Sequence, residues 1–217
     1  MGRGVPVILR IPLLTLAVAD LVILAILLRP WTAIATLPGQ GTTGFDPVVC
    51  LVAYLGLMFW VSGNQNPWVR GALSSGTLFG IPAGLLLVAH LVLRPQPETA
   101  FVVLHLALLV AAGLLWGVAG FRAARAADHF GMGIVAGAWS SMVSALMACA
   151  AILLKIDQRF SGPSAPLTWL QQQAFAVGAP ARQSLVHSLV AAAGYLLICP
   201  LVGGAMGLLC GLAQEKS

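Results

Sequence analysis

The chain has 217 residues, 59% of them apolar and only 8% charged, with a formal charge of +5 and a mean hydropathy of +0.96. A water-soluble domain of this length does not combine so much apolar surface with so little charge, which excludes the soluble classes of protein. The eleven basic residues stand singly near the ends of apolar runs, so no phosphate-tracking patch forms and nucleic acid is excluded as a partner.

Six apolar stretches follow one another, at about 11–28, 45–63, 71–93, 99–121, 132–154 and 184–212. A hydrocarbon layer about 30 Å thick needs roughly 20 residues of helix to cross it. The runs are continuously apolar and do not alternate, which selects helices over a barrel. The expected fold is an all-α membrane protein, a bundle of six transmembrane helices in a single domain, 1–217.

The first stretch follows Arg3 and Arg10 and is closed by Arg29 and Pro30. Ala33-Ile34-Ala35 resembles a signal cleavage site, but the length of the run and its basic stop favour a retained helix. Asp20 is the only acid inside the apolar centre of a stretch. A carboxylate at mid-helix costs about 2.5–3.5 kcal/mol on the insertion scale, and each Leu, Ile or Val returns about 0.3–0.6. Twelve such residues let this helix insert despite the acid. Asp20 is therefore a candidate proton carrier, cation ligand or histidine partner, against a plain buried acid hydrogen-bonded to Ser, Thr or backbone.

The apolar centre of the second stretch, 47–61, covers only about 22 Å as a helix. It is expected to borrow its neighbours and leave Asp46 in the headgroups. Gly76, Gly80 and Gly84 recur every fourth residue in the third stretch, Gly113 and Gly117 in the fourth. Gly133 and Gly137, beside Ser140, Ser144 and Ala148, line the fifth, while Gly203, Gly207 and Gly211 close the sixth. No hydrophobic force joins helices in lipid, so such stripes mark close backbone packing, either within the bundle or onto a partner. Gly80-Ile-Pro-Ala-Gly84 and Gly133-Ile-Val-Ala-Gly137 hint at a duplication, but their flanks align poorly and chance explains them better.

His90, His105 and His187 fall about 6–11 Å from the same ends of their helices, taken as the outer side. Three imidazoles at one depth could ligate a metal, haem or chlorophyll-type pigment, although no two share a helix face. Polar residues near the interface are the plainer reading. His129 reads as a solvated loop residue. The four cysteines all lie inside stretches and read as small apolar fillers.

Between the fifth and sixth stretches, Leu167, Leu170, Ala174 and Val177 recur at helical spacing after Ser161–Pro166. A short interfacial helix and a plain covering loop fit that pattern equally well. In the sixth stretch Pro200 removes an amide and strands the carbonyl of Leu196, so a kink or break is expected there. Tyr195 on the same helix could reach Asp20 across the bundle.

With the N-terminus inside, inner segments hold six Lys or Arg and outer segments five. The first helix, with two arginines before it and one after, places both termini in the cytoplasm of a bacterial-type inner membrane. No nucleophile elbow, phosphate loop, zinc pattern or carboxylate pair supports enzymatic chemistry. The sequence points first to a structural or assembly subunit, with the bilayer and other membrane subunits or its own copies as partners. A small proton- or ion-coupled transporter using Asp20, Tyr195 and Pro200 is the first alternative. A subunit binding a haem or pigment through its histidines is the second; no specific cofactor is indicated.

Overall fold

The computed structural model describes residues 15, 17–22, 46–62, 66–93, 98–160 and 180–215. These residues are helical throughout, apart from short caps and a turn, and no strand occurs among them. We label the helical stretch 17–22 α1; then follow α2 (Asp46–Ser62), α3 (Pro67–Val92), α4 (Glu98–Ala127), α5 (Phe130–Phe160) and α6 (Pro180–Glu215).

Among the described residues, four helices are long and apolar enough to cross a bilayer: Pro67–Val92, Ala100–Ala127, Phe130–Lys155 and His187–Ala213. The chain is an integral membrane protein by this measure, with four such helices where six were expected. The second expected span folds as a helix of 17 residues, about 25 Å long, which is short of the hydrocarbon thickness. Most of the first lies outside the described residues, as does the candidate interfacial helix at 167–177. The long helices also outrun their apolar windows. α3 and α4 extend beyond the expected stretches 71–93 and 99–121 and take in Trp68, Arg70, Arg122 and Arg125.

Local sequence explains the helix ends. Asn66 caps α3 by accepting the Trp68 amide at 2.9 Å, with Pro67 in the first turn, where its missing N–H costs nothing. Between α4 and α5 the chain reverses in two residues. Asp128 takes a left-handed φ of 51°, and the His129 amide reaches back five residues to the Ala124 carbonyl at 3.2 Å, a Schellman closure. His129 is not simply solvated. Its Nδ1 accepts the Gly131 amide at 3.0 Å and so caps α5.

α5 is the axis of the bundle. In the apolar window of α5, 72% of residues are buried, against 44% in α3, 28% in α6 and 17% in α4. α5 packs most extensively on α6 and α3, α4 lies against α3, α5 and α6, and α2 rests on α6. Val143, Leu146, Cys149 and Leu153 of α5 form the centre of the apolar core. On the far side of α4, Val102, Leu106, Val110 and Leu114 form an outward stripe, each more than half exposed. That inversion, apolar outside as well as inside, is what hydrocarbon permits and water does not.

Candidate functional site

Glycine builds the framework. A Cβ added at Gly76 would stand 2.7 Å from the Ala136 carbonyl oxygen, and one at Gly80 2.7 Å from that of Ser140. Gly84 instead meets the side chain of Met147. One stripe of α3 therefore lies backbone to backbone on α5. Around the other side, Gly133 and Gly137 of α5 meet Gly203 and Gly207 of α6, and Gly120 of α4 completes a three-helix junction, its Cβ position 2.5 Å from the Gly207 Cα. Gly117 abuts Cys210, and Gly211 abuts Phe130. Gly113 is different: a Cβ there meets nothing within 4 Å.

The close approach brings polar side chains within reach of neighbouring backbones. The single hydroxyl hydrogen of Ser144 in α5 is shared between the carbonyls of Ser140 and Gly80, each 2.9 Å away, and its oxygen accepts from the Trp116 indole of α4 at 3.0 Å. One hydroxyl thus ties three helices. A second link runs from the Trp139 indole to Thr77 at 2.9 Å, whose hydroxyl sits 2.9 Å from the Leu73 carbonyl. Ser75 bonds the Ala119 carbonyl at 3.1 Å, joining α3 to α4. Within lipid each of these removes a polar group that would otherwise lack a partner.

Near α6 the proline matters. α6 stays helical across Pro200, with no break. The carbonyl of Leu196, four residues earlier, loses its amide to the proline ring, and the buried Tyr54 hydroxyl of α2 donates to it instead. A neighbouring helix thus supplies the missing donor, as membrane helices containing proline require. Tyr54 was visible in the sequence only as one of few polar residues in the second stretch. The signal that marks it is the proline 146 positions away in the chain, which no local pattern connects to it.

Asp20 is fully buried, and neither carboxylate oxygen has a hydrogen-bond partner among the described residues. Tyr195 therefore does not bond it; that side chain is half-buried against the apolar core. Tyr54, Cys149 and Cys199 lie together in the apolar core, with Cys50 packed against it. Three of the four cysteines so share one region at the junction of α2, α5 and α6, all as free thiols. On the same helix as Asp20, Ala17 belongs to the apolar core and Leu21 packs against it.

The histidines separate into a pair and a third. His90 and His105 have ring centroids 4.5 Å apart at 63°, linking the end of α3 to the start of α4. His187 is exposed near the start of the apolar window of α6. No three His, Cys, Asp or Glu side chains are placed to hold a metal ion among the described residues. The two Gly-Ile motifs also sit at different depths, one in the middle of α3 and one in the first turn of α5.

Comparison with protein-family models, curated proteins and solved structures gives no match for this chain.

Proposed function

We propose that this protein is a structural or assembly subunit whose outer helices pack against other helices in the membrane. The observation that carries this reading is how the intramembrane polar and small residues are used. The glycine stripes of α3, α5 and α6 are consumed in one rigid framework, and Ser144, Thr77, Trp116 and Trp139 bond across helices. That leaves α4 and α6 facing outward with long apolar surfaces suited to lipid and to helical partners. On this reading α1 and α2 complete a six-helix bundle, with α2 spanning by borrowing its flanks. Solubilisation in a mild detergent should recover a second chain, or a second copy of this one, in fixed ratio. Recovery of a clean monomer from native membranes would contradict it.

Asp20 favours a second reading, a small proton- or ion-coupled transporter. An acid without a partner inside a membrane calls for an explanation beyond packing. Its burial beside Ala17 and Leu21 weighs toward the first reading, because transport sites gather several polar groups around a water-reaching cavity. Proton or cation flux into liposomes that is lost in Asp20→Asn would support the second reading. Absence of flux in the unmodified protein would remove it.

A further inference from the structure

The His90–His105 pair joins two helices where a bland polar contact would serve, yet its hydrogen bonding is not that of a closed pair. His105 Nδ1 lies 2.7 Å from the Phe101 carbonyl oxygen on its own helix. A carbonyl only accepts, so Nδ1 carries the hydrogen, and in the neutral ring Nε2 is left as an unprotonated lone pair. A backbone carbonyl holding one ring nitrogen is the support that orients metal-binding histidines. Phe101 adds a second constraint, its ring centroid 3.8 Å from that of His105. On the facing helix, His90 Nδ1 is buried with no hydrogen-bond partner.

We propose that His90 and His105 together form a two-imidazole site for a divalent transition-metal ion, with water in the remaining positions. The spacing suits this. Two imidazoles bound at about 2.0–2.1 Å with roughly 90–110° between them have centroids about 4.5–5.2 Å apart. The observed 4.5 Å lies at the near end of that range. Imidazole ligands select the borderline ions, copper(II), nickel(II) and zinc(II), over magnesium or calcium. Position favours access as well: His90 is in the last turn of α3 and His105 in the second turn of α4, close to the connection between them. Lys155 of α5 reaches the end of α3. Its amine bonds the Leu91 carbonyl at 3.0 Å, pinning the end of α3 to α5 beside the pair. Two protein ligands make a site of modest affinity, consistent with the lack of a three-ligand centre.

This inference is independent of the assembly reading, because it is read on the isolated full-length chain. Copper(II) or nickel(II) alone is titrated into the detergent-solubilised protein by calorimetry and visible absorption. One ion per chain with a nitrogen-ligation band is expected. Affinity should fall about tenfold or more in either His90→Ala or His105→Ala and stay unchanged in His187→Ala. His90→Gln and His105→Gln, which keep a polar side chain of similar size, should show the same loss, with helix content and elution volume confirming the fold. No binding to the unmodified chain, or binding retained in both glutamine variants, overturns the proposal.

Discussion

Tyr54 shows most plainly how one residue's chemistry is set by another far along the chain. Pro200 deprives the Leu196 carbonyl of its helical donor, and the Tyr54 hydroxyl replaces it. The two substitutions must therefore be coupled. Tyr54→Phe should destabilise the protein by about 1–2 kcal/mol, the cost of leaving a buried carbonyl unpaired. In a Pro200→Ala background the helix regains its own amide, so the same Tyr54→Phe change should cost markedly less. Thermal unfolding of the four proteins in detergent measures this double-mutant cycle. Equal Tyr54→Phe penalties in both backgrounds would dissociate the tyrosine from the proline. Sequence alone exposes half of this arrangement. It identifies the stranded carbonyl from the proline's position, but the donor comes from another helix, and an azimuth cannot be read from spacing. Asp20 has the same history: its place in an apolar run is legible, while its burial without a hydrogen-bond partner among the described residues belongs to the packed structure.

Among the elements, glycine determines which faces meet. A stripe of small residues predicts that a helix packs closely; it does not name the neighbour or say whether the neighbour lies in the same chain. The structure pairs α3 with α5 along Gly76–Gly84, and α5 with α6 along Gly133, Gly137, Gly203 and Gly207. Gly113 shares the spacing but faces open space, so spacing alone overstates the contact. Stability should separate these positions. Gly207→Val would drive a branched side chain into the Gly133 backbone and against the Gly137 Cα, and should cost about 3 kcal/mol or more or prevent folding. Gly194→Ala, where a Cβ meets nothing within 4 Å, should be neutral or stabilising by about 0.5–1 kcal/mol through helix propensity. Comparable losses of folded yield and melting temperature in both variants would contradict the pairing of α5 with α6. Helix ends were less legible than helix existence, because capping by Asn66 and the Asp128–His129 reversal depends on single side chains.

For the whole molecule, the claim on which the rest depends is a bundle built around α5 with α4 on its lipid-facing side. Composition establishes the solvent, since 8% charge leaves too few polar groups to cover a soluble surface. The interior order is not compositional: α5 and α4 are both long and apolar, yet 72% of one window is buried and 17% of the other. Small residues are about equally common in the two helices, so the difference lies in their placement: those of α5 meet the backbones of α3 and α6, while Val and Leu line the outward stripe of α4. A lipid-soluble photoactivated carbene reagent, applied in bilayers and read by mass spectrometry, tests this directly. Labelling should concentrate on Val102, Leu106, Val110 and Leu114 and spare Val143, Leu146 and Leu153. Equal labelling of α5 and α4, or modification of the α4 stripe by a membrane-impermeant reagent, would contradict the account.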